Sequence, residues 1–182
     1  MSKVILLNGS AHQHGCTATA LEEMIKVFEA EGVETELIQV GSKDIRGCIS
    51  CRKCSEIGKC VFDDLVNEVA EKFEKADGLV VGSPVYYASP NGTILSFLDR
   101  LFYSTSFSKH MKVGASSTYW NQVHGSSAED VKKDLEGLQT MRNLARNMSF
   151  MIKSFADAKE KYGYPEVEKA AFTSFADGKN VL

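Results

Sequence analysis

Four closely spaced cysteines are the residues of this sequence best suited to metal or redox chemistry. Cys48, Cys51, Cys54 and Cys60 form the pattern C-x2-C-x2-C-x5-C. Zinc sites usually combine two separate C-x2-C pairs that face each other. Here Cys51 belongs to both C-x2-C pairs, so two independent pairs cannot form, and the spacing disfavours zinc.

A cubane iron–sulfur cluster is the first of three interpretations of these cysteines. Two-residue spacing resembles the ferredoxin loop around such a cluster, in which successive thiolates reach different irons. The ferredoxin pattern ends differently, since proline follows its fourth cysteine, whereas Val61 follows Cys60 here. We therefore rank a 4Fe-4S cluster first, free or redox-active thiols second and zinc third. Part of the negative charge of four thiolates would be offset by basic neighbours, which are Arg46, Arg52, Lys53 and Lys59.

A loop near the N-terminus has the composition of a phosphate-binding site. An apolar run at residues 4–7 precedes a polar loop with Ser10, and a predicted helix begins near Thr17. The first N–H groups of a helix have no partner inside it, and its dipole favours an anion there. Cys16 stands where a triphosphate loop has lysine, and the glycines do not fit the dinucleotide pattern. The loop predicts a site for the phosphate of a mononucleotide, with an ordinary strand-to-helix connection as the alternative.

A second loop, residues 83–91, has the features of a platform for a flat ring. Pro84 and Pro90 stiffen it, and Tyr86 and Tyr87 lie between them. The alternative is a rigid turn whose tyrosines belong to the core. A phosphate loop and a ring-binding loop at one edge of a sheet together indicate flavin mononucleotide (FMN).

Other polar residues are weaker candidates. Cys16 lies at a helix N-terminus, where a thiol can become reactive, but a small side chain packed beside the loop is the favoured interpretation. His12 is a candidate donor to the phosphate and His124 a candidate proton donor near the flavin, with solvated side chains as the alternative. We expect Asp99 and Arg100 to form a pair on their helix, either at the surface or at an interface.

Length and composition limit the classes of function. The chain has 182 residues and a net charge of −3, and no apolar stretch approaches the length of a membrane span. The charge gives no support for nucleic-acid binding. The N-terminus lacks the apolar stretch of a signal peptide, so we expect a cytoplasmic protein without a membrane partner. Five cysteines in a reducing compartment favour metal or redox chemistry over disulfides.

Hydrophobic periodicity predicts strands that alternate with helices. The predicted strands are residues 4–7, 35–40, 78–81 and 113–120. The predicted helices are residues 17–31, 65–73 and 93–103 and one long helix from 127 to about 162. This alternation implies a parallel, doubly wound sheet with three layers, α/β/α. Ligands bind such folds at the carboxyl ends of the strands, where Ser10, residues 83–87, Tyr119 and Trp120 would meet.

Four stretches of the sequence resemble the flavodoxin-like NADPH-dependent FMN reductase family, and the cysteine motif resembles that of its iron–sulfur flavoprotein branch. They are residues 3–20 (KVILLNGSAHQHGCTATA), 44–60 (DIRGCISCRKCSEIGKC), 77–100 (DGLVVGSPVYYASPNGTILSFLDR) and 117–138 (STYWNQVHGSSAEDVKKDLEGL). The resemblance covers most of the chain up to about residue 147. It implies a flavodoxin-like FMN-binding domain with a cysteine-rich insertion at 44–60. Because the last predicted helix ends before Gly163, we place this domain at residues 1–163 and a C-terminal tail at 164–182.

The resemblance also implies which residues form each site. The family's phosphate loop corresponds to Ser10, Gly15, Cys16, Thr17 and Ala18, and its ring-binding loop corresponds to Pro84, Val85, Tyr86 and Tyr87. Its cluster ligands correspond to the four cysteines at 48, 51, 54 and 60. Family members assemble as dimers or tetramers, which implies a homodimer or homotetramer here.

One departure from the family pattern concerns residues 112–121. The family has a strand that begins Lys-Val-Gly-Ala, a flavin-contacting loop, a helix and a further strand that ends Thr-Tyr-Trp-Asn. Here residues 112–115 run almost directly into residues 116–121 (SSTYWN), so a strand–loop–helix unit of about thirty residues is missing. Loss of an internal strand leaves buried backbone groups unpaired. We therefore favour a discontinuity in the sequence between Val113 and Ser117 over a natural deletion.

The sequence thus predicts an FMN-dependent oxidoreductase. Electrons would pass from NAD(P)H, or from a reduced iron–sulfur carrier such as ferredoxin, to a small acceptor such as a quinone, a free flavin or oxygen. The protein would position and tune the flavin, and no side chain need act as a catalytic acid or base. The alternatives are a flavodoxin-like electron carrier without its own substrate and a zinc-binding structural or sensor module.

Overall fold

Short strands alternate with longer helices along the chain. The structure is a computed structural model that describes residues 2–105, 117 and 120–166, together with the backbone of 172–173 and 180–181. In chain order its elements are β1 (Lys3–Asn8), α1 (Cys16–Ala30), β2 (Glu34–Gln39), α2 (Cys54–Ile57), α3 (Leu65–Lys75), β3 (Gly78–Gly82), β4 (Val85–Tyr86), β5 (Ser89–Pro90), α4 (Gly92–Thr105), α5 (Ala128–Val131), α6 (Leu135–Tyr162), β6 (Phe172–Thr173) and β7 (Asn180–Val181).

β1 is the central strand of a parallel sheet in the order β2–β1–β3. Leu6 of β1 aligns with Leu37 of β2 and with Val80 of β3. The aliphatic residues of β1 are fully buried, as expected for a strand that is covered on both faces. The first three predicted strands are confirmed to within one residue at each end.

Successive residues of β1 pack against helices on opposite faces of the sheet. Val4 and Leu6 belong to a hydrophobic cluster with residues of α1 and α6. Ile5 and Leu7 belong to a second cluster with residues of α3 and α4. Two layers of helices therefore enclose the sheet, and the predicted doubly wound α/β/α fold is confirmed.

The helical region after residue 127 differs from the single long helix that was predicted. α5 ends at Val131, and α6 begins at Leu135. Between them, Asp134 has the non-helical angles φ −77° and ψ 82°, and its carboxylate accepts the N–H of Gly137 at 3.0 Å. Asp134 thus caps a new helix and interrupts the predicted one. The predicted end of the helix before Gly163 is confirmed.

Two predictions fall on parts of the chain that the structure leaves out. Most of the predicted strand at residues 113–120, with the junction between Val113 and Ser117, lies outside the described residues. So does most of the tail at 164–182, where β6 and β7 form an antiparallel pair. None of the helices in the described ranges is long and apolar enough to cross a bilayer.

Candidate functional site

The two loops predicted to bind FMN meet at the carboxyl ends of β1 and β3. They border an open cleft of about 570 Å³, a size usual for small-molecule sites. One wall is the loop between β1 and α1, and the segments after β3 and before α5 contribute the rest. The predicted residues that line this cleft are Ser10, His12, Gly15, Cys16, Thr17, Pro84 and Tyr86.

The N-terminus of α1 opens into this cleft without a capping side chain. Its N-cap residue is Gly15, and the first turn contains no acidic residue. By contrast, the other long helices of the described part, α3, α4 and α6, are capped by Asp64, Asn91 and Asp134. The first N–H groups of α1 are therefore left for a ligand or for water, and the helix dipole favours an anion at this point.

A network of polar side chains holds Ser10 beside the cleft. Asn8 accepts the N–H of Ser10 at 3.0 Å and donates to Gln39 at 2.8 Å, and Gln39 donates to the carbonyl oxygen of Ser10 at 2.6 Å. The Ser10 hydroxyl accepts the N–H of His12 at 3.1 Å. Because a hydroxyl also carries one proton, Ser10 can still donate to a ligand in the cleft.

Asn8, Gln39 and Gly41 support the wall of the cleft at Gly9 and Ser10, and the sequence patterns did not reveal this role. Gly41 follows β2 and lies so close to the backbone of Gly9 and Ser10 that a side chain at this position would overlap with them. A weak signal was present, because these residues stand at the ends of two predicted strands. The carboxyl ends of parallel strands lie at one edge of the sheet, where ligands bind.

The ring-binding segment is a hairpin rather than the irregular loop that was predicted. β4 pairs with β5, and the two residues between them, Tyr87 and Ala88, have φ angles of 49° and 61°. Positive φ at both turn positions matches a type I′ hairpin turn. Such turns usually contain asparagine or glycine, and because tyrosine and alanine stand here, the sequence did not indicate the hairpin. Tyr86 is 54% exposed and Tyr87 106% exposed. These tyrosines are therefore not core residues.

The remaining predicted flavin-site residues lie outside the cleft or outside the described chain. Val85 lines a neighbouring groove of about 920 Å³ along β3, which also contains Cys16 and Thr17. Ala18 is buried in the core, and Tyr87 stands at the hairpin tip. Trp120 is 71% exposed and does not line either opening. Tyr119 is not among the described residues.

His124 lines the groove along β3 and is oriented by Asp134. Asp134 Oδ2 accepts the backbone N–H of His124 at 2.6 Å and lies 3.5 Å from His124 Nδ1. The N–H groups of Gly137 and His124 lower the pKa of the Asp134 carboxyl below its ordinary value. Asp134 thus connects the cap of α6 to the only histidine of this groove's lining.

All four clustered cysteines line one small concavity beside α4. Cys54 is buried at the start of α2, Cys60 is half-buried, and Cys48 and Cys51 are exposed. Burial raises the pKa of the Cys54 thiol. The backbone around Cys51 is unusual, because Ser50 and Arg52 both have positive φ angles, 54° and 60°. The N–H of Ser50 points to Cys48 Sγ at 3.4 Å.

The cysteine site does not have the geometry of a single-ion site. Within the described ranges, no three His, Cys, Asp or Glu side chains are grouped to hold one metal ion. A cubane cluster needs a wider spread of sulfurs, since each thiolate reaches a different iron.

Arg100 belongs to the cysteine site, and the prediction of a surface pair with Asp99 is wrong. Its side chain is only 1% exposed, and its guanidinium forms a bidentate pair with Asp64 at 2.7 and 2.8 Å. The spacing contained a signal for this, because Arg100 lies three residues after Phe97 and next to Leu101. Both are fully buried on the inner face of α4.

Comparison with known proteins relates the chain to flavin-dependent reductases. A family model described as NADPH-dependent FMN reductase matches residues 2–153. An iron–sulfur flavoprotein of Methanocaldococcus jannaschii is 29% identical over 188 residues, which cover 83% of this chain and 97% of that protein. An iron–sulfur flavoprotein of Archaeoglobus fulgidus is 31% identical over 99 residues, which cover 54% of this chain but only 45% of that protein.

A solved structure shows the same fold. RosB, crystallised with bound 8-demethyl-8-formylriboflavin-5'-phosphate, matches with a TM-score of 0.62 and 15% sequence identity, over 90% of this chain and 82% of that chain. The likeness confirms the flavodoxin-like fold that the sequence predicted.

The alignment with the Methanocaldococcus jannaschii protein bears on the missing strand–loop–helix unit. It spans 188 positions, whereas 83% of 182 residues is about 151 residues. About 37 positions of the alignment (188 less 151) therefore have no counterpart in this chain. This number is close to the unit of about thirty residues that the sequence lacks.

Proposed function

The chain belongs to the NADPH-dependent FMN reductase family and, within it, to the iron–sulfur flavoprotein branch. From this membership and the geometry of the site, we propose which molecules donate electrons to the protein and which accept them. It is an FMN-dependent oxidoreductase. We propose that NAD(P)H or a reduced iron–sulfur carrier such as ferredoxin supplies the electrons. A small acceptor such as a quinone, a free flavin or oxygen would receive them.

The uncapped N-terminus of α1 is the observation that carries the proposal for FMN. Its first N–H groups, with the hydroxyls of Ser10 and Thr17, would bind the phosphate. Cys16 lines the same wall, where its thiol donates to the carbonyl oxygen of Gly125 at 3.3 Å. A reactive thiol is not required at this position, and Cys16 serves as a small packing residue.

The hairpin after β3 would hold the flavin ring. Pro84 and Tyr86 line the cleft, and Val85 lines the adjoining groove. A hairpin with a fixed turn holds its backbone groups in place before the ligand arrives, which lowers the entropy lost on binding. When bound, FMN supplies the redox chemistry, and the protein contributes binding, orientation and electrostatics.

We further propose that Cys48, Cys51, Cys54 and Cys60 hold a 4Fe-4S cluster. The four thiols share one concavity, and the buried guanidinium of Arg100 lies at its wall. A positive charge at this point would offset part of the charge of the thiolates. Two curated relatives that match this chain are named iron–sulfur flavoproteins, which supports the same assignment.

Anaerobic purification followed by three measurements tests the proposal. We expect FMN to bind with quenching of its fluorescence, iron and acid-labile sulfide to be present at about four atoms each per chain, and NADH or NADPH to reduce the flavin and then a quinone. Absence of flavin binding would overturn the proposed function. Zinc without sulfide would replace the cluster by a structural metal site.

A second experiment separates the enzyme from an electron carrier. If reduced ferredoxin reduces the flavin but neither nicotinamide does so, and no small acceptor turns over, the chain is a carrier of the flavodoxin type. We also propose a homodimer or homotetramer, which light scattering coupled to gel filtration measures directly. A monomer at micromolar concentration would contradict that assignment.

A further inference from the structure

Arg100 is the buried side chain that joins the cysteine segment to α4. Besides its two bonds to Asp64, it donates from Nε to Cys60 Sγ at 3.2 Å. It also donates to two backbone carbonyl oxygens, those of Arg46 and Phe62, each at 3.2 Å. An arginine side chain has five N–H donors in a fixed fork, and here that fork makes five hydrogen bonds.

The two carbonyl partners lie on either side of the cysteine segment. Arg46 precedes Cys48 by two residues, and Phe62 follows Cys60 by two residues. The guanidinium of Arg100 therefore bonds to both ends of the cysteine segment and holds them beside the same part of α4. The Phe62 ring lies near this point, with the guanidinium carbons of Arg46 and Arg100 at 5.1 and 5.0 Å from its centroid.

The end of the segment at Cys60 is fixed a second time from α3. Asn67 accepts the N–H of Cys60 at 2.9 Å and donates to the carbonyl oxygens of Cys60 and Phe62 at 3.0 Å. Asp64, the partner of Arg100, is also the N-cap of α3. Asn67 thus holds the backbone of Cys60, and Arg100 donates a hydrogen bond to its sulfur.

Arg100 keeps its charge in this buried position. A guanidinium stays protonated at every pH at which proteins are normally studied, and here the carboxylate of Asp64 pairs with it directly. Asp64 neutralises the guanidinium in part, while the Nε–H remains directed at the sulfur.

We propose that Arg100 is a positioning residue that holds Cys60 as a cluster ligand and raises the reduction potential of the cluster. This inference rests on the proposed function, since it presupposes a cluster on the four cysteines. One electron from the reductant would lower the oxidation state of the cluster core by one and add one negative charge to the cluster as a whole, which its thiolate sulfurs share, without making or breaking a bond. An N–H donor and a positive charge stabilise that additional charge, and hydrogen bonds to the sulfurs are known to set cluster potentials.

The test compares Arg100→Gln and Arg100→Lys with the control Arg142→Gln. Arg142 pairs with Glu23 at 2.7 Å in the other helical layer, so its variant removes an arginine far from the cysteines. Each protein is purified anaerobically, and the midpoint potential is measured by a redox titration followed by electron paramagnetic resonance. Loss of iron to a chelator is followed in parallel, and bound FMN and circular dichroism report on the fold.

We expect Arg100→Gln to lower the equilibrium constant for one-electron reduction about tenfold, a shift of about 59 mV to more negative potential. We expect its iron loss to be about 10–100-fold faster, as found for outer-shell residues of metal sites. Arg100→Lys keeps the charge but not the fork, so its potential should shift less while its iron loss is still accelerated. Arg142→Gln should resemble the wild type in both measurements.

The remaining outcomes are also decisive. A wild-type potential in Arg100→Gln overturns the tuning role, even if iron is lost faster, because a purely structural residue would change only retention. If Arg100→Gln does not fold, Arg100→Lys decides, and wild-type retention and potential in that variant overturn the inference. Iron and sulfide absent from the wild type would overturn the cluster and this inference together, while FMN binding and flavin reduction would still stand.

Discussion

Asn91 donates its side-chain N–H to the carbonyl oxygen of Gly9 at 2.5 Å, and this hydrogen bond joins the two loops of the cleft. Both residues are buried. The same side chain accepts the N–H of Ile94 at 3.2 Å and so caps α4, while the backbone N–H of Asn91 donates to Ser83 Oγ at 3.1 Å. Asn91 therefore helps to fix the distance between the phosphate wall and the ring-binding hairpin, together with the hydrogen bond from the Gly9 N–H to the carbonyl oxygen of Gly82 at 2.8 Å.

Replacement of Asn91 should separate its role in bridging the loops from its role as a cap. Asn91→Ala leaves the Gly9 carbonyl unpaired and removes the cap, so we expect a loss of about 2–4 kcal/mol in the free energy of unfolding. Asn91→Ser retains a capping hydroxyl but is too short to reach Gly9. It should lose about 1–3 kcal/mol and bind FMN as weakly as Asn91→Ala. Urea unfolding and fluorescence titration measure both. Wild-type FMN affinity in Asn91→Ser would show that the bridge does not position the loops.

Gly9→Ala should weaken the fold and the flavin site together. A Cβ atom at Gly9 would lie 2.8 Å from the carbonyl oxygen of Gly82 and 3.0 Å from Ile94 Cβ, so the ends of β1 and β3 must move apart. Such overpacking costs about 1–3 kcal/mol, and the displaced Ser10 should weaken FMN binding. The control is Gly92→Ala at the start of α4, where a Cβ would meet no atom within 4 Å. Thermal unfolding in the presence and absence of FMN distinguishes them, and equal stability of the two variants would contradict the prediction.

The sheet and its helical layers were predictable because their signal is local. Val4 to Leu7 form a continuous aliphatic run, and the apolar residues of α1 and α3 recur at helical spacing. The chain order then leaves few topologies, since parallel crossovers are right-handed. The chain order also predicted that Ser10 and Pro84, which follow neighbouring parallel strands, would lie at the same edge of the sheet.

Side chains whose partners are distant in the chain were not predictable. Arg100 meets Asp64 and Cys60 only after α4 has packed beside the cysteine segment, and its neighbour Asp99 suggested a local pair instead. Asp134 looked like an ordinary helical residue, because the hydrogen bond that makes it a cap depends on a change of its own backbone conformation. Spacing patterns describe which face a residue occupies and do not describe what it meets there.

Cys60→Ser should remove iron and leave the flavin site intact. Serine is a poor ligand for iron–sulfur clusters, and Cys60 lies in the concavity of the four cysteines, which shares no lining residue with the cleft of α1. We expect iron and sulfide to fall several-fold, while FMN binds as in the wild type. Cys16→Ser is the matched control, because it makes the same substitution in the flavin cleft and should retain the full iron content. Metal analysis and fluorescence titration check both, and retention of iron in Cys60→Ser would exclude this cysteine as a ligand.

The Asp134 carboxylate should make the stability of the fold depend on pH in the acidic range. Its pKa is lowered below the ordinary value of 3.8 by the N–H groups of Gly137 and His124, so the ionised form favours the folded state. The contribution is therefore complete above the unfolded-state pKa and is lost as the pH falls below 3.8 and through the lowered folded-state pKa. Asp134→Asn keeps an oxygen for Gly137 but cannot ionise, and it should be about 0.3–1 kcal/mol less stable than the wild type near pH 7, the usual contribution of a negative charge at a helix N-terminus. This difference should shrink as the pH is lowered to about 3, as measured by urea unfolding at each pH.

Asp157→Asn, on the exposed C-terminal half of α6, controls for the removed charge. A difference between Asp134→Asn and the wild type that stays constant down to that pH would mean that the charge of Asp134 does not stabilise the cap.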